Sequence, residues 1–95
     1  MTRLPEMYRE VYEALDASVA ALTCLPSSEA MIRRALSVFQ SEAADQWAID
    51  HLAKASLALQ ALNVSTLRGE QTQRLAATVQ LGSVARGWME RLPIH

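Results

Sequence analysis

Cysteine is nearly absent from this chain. A single residue, Cys24, rules out an internal disulfide. It reads as a small buried apolar residue or an inert thiol, since no base adjoins it to favour the thiolate. Proline and glycine are scarce, at three each, which excludes collagen-like or linker-rich organisation. Only five residues are aromatic, Tyr8, Tyr12, Phe39, Trp47 and Trp88. No apolar run approaches the roughly 18 residues of a membrane span. The start, MTRLPEMYREVYE, is too polar for the apolar segment of a secretory signal. No strand-like alternation and no repeat is visible. These absences predict a cytoplasmic protein with no membrane segment.

What is present is alanine, at 16 residues, within a chain that is 51% hydrophobic and 20% charged. That balance specifies a folded chain and favours helices. At 95 residues the chain makes one domain, residues 1–95. The formal net charge of −1 gives no global drive toward nucleic acid or acidic membranes. The charge is unevenly spread: residues 1–26 carry two Arg against four acids, and residues 64–95 four Arg against two acids. Arg outnumbers Lys eight to one, a bias that suggests a bacterial or phage coding sequence.

Residues 29–62 contain neither Gly nor Pro, and the spacing predicts one long helix, roughly 50 Å at about 1.5 Å per residue. Its first half places Ile32, Leu36, Phe39, Ala43 and Trp47 on one line. Its second half places Ala48, Leu52, Ala55, Leu59 and Leu62 on another, with Ile49, Ala53 and Leu57 beside it. The two lines differ by about 140° at about 100° per residue. The helix therefore changes the side it buries near Asp45, or it breaks there; the lack of breakers favours continuity. Before it, Leu4, Tyr8, Val11, Leu15, Ser18, Leu22 and Leu25 form a seam of alternating fours and threes. This predicts a helix over 5–24, begun at Pro5 and ended by Pro26, with Ser27 or Ser28 capping the next. After it, Asn63 is a candidate left-handed stop and Ser65 or Thr66 a cap for a last helix reaching about Leu92, where Pro93 follows. That helix has a seam of Leu67, Gln71, Arg74, Thr78, Leu81, Ala85, Trp88 and Leu92, flanked by Leu75, Val79 and Met89. Gly82 and Ser83 mark its expected kink, or a point of close helix contact. The fold predicted is all-α: a small antiparallel bundle of three helices, or four if the chain breaks near Asp45 or Gly82, around a long central helix.

Chemistry-bearing patterns are thin. His51 has Trp47 and Ala48 at the helical spacings where a ligand or acid partner would sit. The acids Glu42, Asp45 and Asp50 lack the Glu-x-x-His spacing of a di-metal helix. No catalytic, cofactor-binding or metal-binding residue is assigned. Residues 71–86 superficially suit a helix-turn-helix around Gly82, and Arg33, Arg34, Arg74 and Arg86 an anion site. These carry the alternative readings: a DNA-binding transcriptional regulator, or a small helical enzyme or ligand-binding protein. The favoured reading is a non-catalytic protein–protein interaction module, an adaptor, chaperone or inhibitor. Tyr8, Tyr12, Trp47, Trp88 and Met89 are its candidate interface residues, because such side chains anchor interfaces. A homodimer or another protein is the expected partner.

Overall fold

The computed structural model describes residues 4–42 and 45–92, with the Leu4 side chain excepted. Four helices follow one another: α1, Leu4–Ala21; α2, Pro26–Ser41; α3, Gln46–Arg68; and α4, Gln71–Glu90. Each packs on the next, and α4 packs back on α1, so the four close a ring 44 × 26 × 20 Å in extent. Short connections make each neighbour antiparallel. The chain is an all-α bundle, and no described helix is long and apolar enough to cross a membrane.

The expected continuous helix over 29–62 is not formed. The chain leaves α2 after Ser41 and re-enters helix at Gln46. The rotation between its two apolar lines is the physical reason. A straight helix would point them to opposite sides, and no core of this size has two sides to offer. Reversal turns both lines inward, so Ile32, Ala35 and Phe39 of α2 meet Ala48, Leu52, Ala55, Leu59 and Leu62 of α3 in one core. Asp45 stabilises the restart by accepting a hydrogen bond from the Trp47 amide at 3.0 Å, the usual work of an N-cap acid. Ala43, placed by periodicity on the first line, lies outside the described residues, as do the side chain of Leu4, assigned to the first seam, and the expected stop at Pro93.

Other boundaries move for equally local reasons. α1 ends at Ala21 rather than 24, because Leu22 turns left-handed at φ 56°. Its amide donates to Val19 O at 3.1 Å, and the Thr23 amide to Ser18 O at 3.2 Å. That pair is the Schellman pattern. Pro26 then opens α2 rather than merely ending α1, with Leu25 at the cap position. Ser28 is not a cap; its hydroxyl donates to Ala14 O at 2.7 Å, and Ser18 Oγ accepts from the Leu25 amide at 3.2 Å. The two buried serines thus fasten α1 to α2. Asn63 lies within α3, and the left-handed stop is Gly69 at φ 68°. There the same pattern recurs, Gly69 N to Thr66 O at 3.3 Å and Glu70 N to Ser65 O at 2.9 Å. α4 runs through Gly82 without a break.

The core is layered along the ring. Met7, Val11 and Leu15 of α1 join Ala77, Leu81, Ala85 and Trp88 of α4 and the α2 and α3 rows. Alanines at Ala35, Ala48, Ala55, Ala58, Ala77 and Ala85 let the helix axes approach closely. No buried side-chain nitrogen or oxygen among the described residues lacks a partner, so the core is satisfied throughout.

Candidate functional site

At the end of the bundle where α1 and α3 begin, the aromatic residues gather. Trp88 of α4 lies at the centre, with ring centroids 5.3 Å from Tyr8, 6.1 Å from Phe39 and 5.5 Å from Trp47. Tyr8 also meets Phe39 at 5.1 Å. The indole N–H of Trp88 donates to the Tyr8 backbone carbonyl at 2.8 Å. Trp47 has two further neighbours: His51 stacks on it at 3.9 Å, and the Arg91 guanidinium sits 4.3 Å from its ring centroid. Arg91 also forms an ion pair with Asp45. Burial first, and then the Asp45 carboxylate, push the Tyr8 phenol above its ordinary value, with Arg91 acting in the opposite sense.

Three of the five candidate interface residues therefore come together, but not as a surface. Trp88 is 0% exposed and belongs to the core. Tyr8, Tyr12 and Trp47 are half-buried, and Met89 is exposed. The flank assigned to the last helix is turned outward: Leu75 and Val79 are 60% and 67% exposed, while Ala77 and Val84 take the inward places. Leu67, assigned to that helix's seam, ends α3 on the outside at 78%.

The remaining polar patterns resolve into structural roles. His51 Nδ1 is 2.9 Å from the Trp47 carbonyl, to which it donates, one turn back. Asp50 accepts from Gln46 at 2.9 Å. With α2 ending before Asp45, the acids Glu42, Asp45 and Asp50 do not share one helix. Among the described residues no three His, Cys, Asp or Glu side chains are grouped to hold a metal ion. Arg33 pairs with Glu29 at 3.5 Å, and Arg74 Nε donates to Leu22 O at 2.8 Å, closing the end of α1. Arg33 lines a shallow groove between α2 and α3, and Arg74 another, of about 190 Å³, between α1 and α4. Arg33 and Arg74 therefore line separate grooves. Since 71–90 is one helix, Gly82 supplies no turn for a helix-turn-helix. Cys24 is half-buried, and burial followed by the Glu29 carboxylate raises its pKa, disfavouring the thiolate.

What periodicity missed is the outer side of the α3–α4 hairpin. Of seven large apolar side chains exposed among the described residues, Leu57, Val64 and Leu67 belong to α3 and Leu75 and Val79 to α4, Leu75 on the side that lines the groove with Leu22 and Arg74. The signal was present, because α3 carries apolar residues on both faces. An apolar residue opposite a complete core stripe has nothing left to pack against within the same chain. No protein-family model matches this chain, and no curated protein or solved structure matches it.

Proposed function

We propose that the chain is a non-catalytic protein–protein interaction module, a small cytoplasmic adaptor, chaperone or inhibitor that binds another protein or a second copy of itself. The observation that carries this reading is the concentration of exposed Leu57, Val64, Leu67, Leu75 and Val79 on two neighbouring helices. Scattered single apolar residues are ordinary on a protein surface, whereas a clustered set marks a contact site.

The two apolar lines of residues 29–62 both face the core, so they supply no surface for self-association. Sedimentation equilibrium at micromolar concentration tests it directly: a mass that stays at 10.5 kDa leaves another protein as the partner. The module reading itself is tested by placing a photo-crosslinking residue at Val64, at Val79, and at exposed Glu13 of α1 as control, in the native host. Adducts from the first two positions and none from Glu13 are expected. No adduct from any position overturns it.

A further inference from the structure

The solvent side of α3 carries a second seam. Lys54, Leu57, Ala61, Val64 and Arg68 follow one another at spacings of three, four, three and four, and all five are exposed. This is the repeat by which one helix receives another. The inner face of α3 uses the same repeat, Ala48, Leu52, Ala55, Leu59 and Leu62, and it is fully covered. The helix packed on α3, α4, carries an exposed row of its own, Thr72, Ala76, Val79 and Ser83, at spacings of four, three and four. Ala61 at the middle of the first row and Ala76 within the second keep this strip low, and Leu57, Val64 and Val79 are its large apolar side chains.

The charges on this strip are of one sign. From His51 to Met89 the chain carries Lys54, Arg68, Arg74 and Arg86 against Glu70 alone. Over residues 4–41 the balance is reversed, with five acids against three bases. Lys54 and Arg68 bracket the seam, two heptads or roughly 21 Å apart. A second copy is a poor occupant. Pairing the seam with itself antiparallel about Ala61 sets Lys54 against Arg68 of the copy, and pairing it parallel sets each cation against its own equivalent. Both arrangements bring like charges together. Four basic residues, of which Arg74 is engaged with Leu22 O, are also few for a nucleic-acid backbone.

Building on the interaction-module reading, we propose that the outer seam of α3 is the docking site for one amphipathic helix of another protein. That helix carries an apolar stripe with acidic side chains two heptads apart, which pair with Lys54 and Arg68. The Ala61 floor admits its larger apolar side chains, while Leu57 and Val64 fill the gaps between them, as in helix-in-groove recognition.

The test uses a designed amphipathic peptide of about 21 residues, with leucines at three–four spacing and Glu at the two bracketing positions. Its twin has Lys at those positions. Each is titrated into the full isotope-labelled chain, and amide shifts are followed by NMR. The acidic peptide should move amides of residues 54–68 and bind at least about tenfold more tightly than its twin, a preference that fades with salt. The double variant Lys54→Glu, Arg68→Glu changes exposed positions only, and should reverse the preference while leaving the helical circular dichroism unchanged. Equal binding of the two peptides, shifts confined to other helices, no shift at millimolar peptide, or response only to phosphatidylserine vesicles would each overturn the proposal. The crosslinking experiment reports separately on whether any protein binds, so failure of the charge pattern and failure of the module reading are told apart.

Discussion

Trp88 touches Tyr8 twice: its ring stacks on the phenol with centroids 5.3 Å apart, and its indole N–H donates to the Tyr8 carbonyl at 2.8 Å. One residue of the last helix thereby holds both the side chain and the backbone of the first. Trp88→Phe keeps most of the apolar area and removes the donor. It should lower stability by about 1–3 kcal/mol, and Trp88→Ala by about 3–5 kcal/mol, in urea melts. A loss below about 0.5 kcal/mol for the alanine variant would place Trp88 outside the core.

The two left-handed helix ends differ in their residue. Gly69 adopts φ 68° and Leu22 φ 56°. A side chain in that region costs about 1–2 kcal/mol. Gly69→Ala should therefore destabilise by about 1 kcal/mol. Leu22→Gly relieves strain but loses the contacts of a side chain that is 46% exposed, so a net gain of roughly 0.5–1 kcal/mol is expected in a thermal melt. A net loss from Leu22→Gly would show that its side-chain contacts outweigh the strain.

Gly82 is tolerated rather than required. A methyl group there would lie 3.9 Å from Val19 Cγ1 and 3.7 Å from the Arg86 guanidinium, ordinary contact distances. Gly82→Ala should stabilise α4 by roughly 0.5–1 kcal/mol through helix propensity. A drop in melting temperature would mean that α1 and α4 approach more closely than these contacts indicate.

Alkaline pH should weaken the bundle through Tyr8. Its phenol titrates above the ordinary value of 10.0 because burial, and then Asp45, disfavour the anion. The unfolded chain therefore releases this proton at lower pH than the folded one. The contribution is fully present below the unfolded value and is lost as pH rises through the folded one. Urea melts of the parent and of Tyr8→Phe, compared between about pH 9 and about pH 11, should show a steeper decline in the parent. Equal slopes would remove Tyr8 as the source.

The inner rows were legible because large residues at strict spacing leave little choice. Leu15, Leu52, Leu59 and Leu81 are all buried, as their seams required. The break before Gln46 was not legible from composition, since Ser41, Glu42, Ala43 and Ala44 suit a helix as well as its end. The discriminating signal was the rotation between the two stripes, together with Asp45 as a cap. Asn63 was outcompeted by Gly69, which enters the left-handed region without a side-chain clash. On the outer surface, a single chain's periodicity cannot say which of two stripes on α3 faces inward until its neighbours are placed. Trp88 was placed on the last helix's seam by its spacing and among the contact residues by its type; its full burial against Tyr8, Phe39 and Trp47 agrees with the seam.

The ring closure has a kinetic side. Three of its four helix interfaces join neighbours in sequence, while the interface of α1 with α4 joins Tyr8 to a residue 80 positions away. Contacts of such separation carry the largest loop-closure entropy, so they form late when shorter ones are available. The α1–α2 and α3–α4 hairpins should assemble first, and the Trp88–Tyr8 junction should seal the barrel of helices after the rate-limiting step. In a chevron analysis Trp88→Phe should then speed unfolding and leave the refolding arm nearly unchanged, whereas Leu59→Ala, between α2 and α3, should slow refolding as well. A refolding rate that falls in proportion to the stability lost at Trp88 would instead place ring closure in the nucleus.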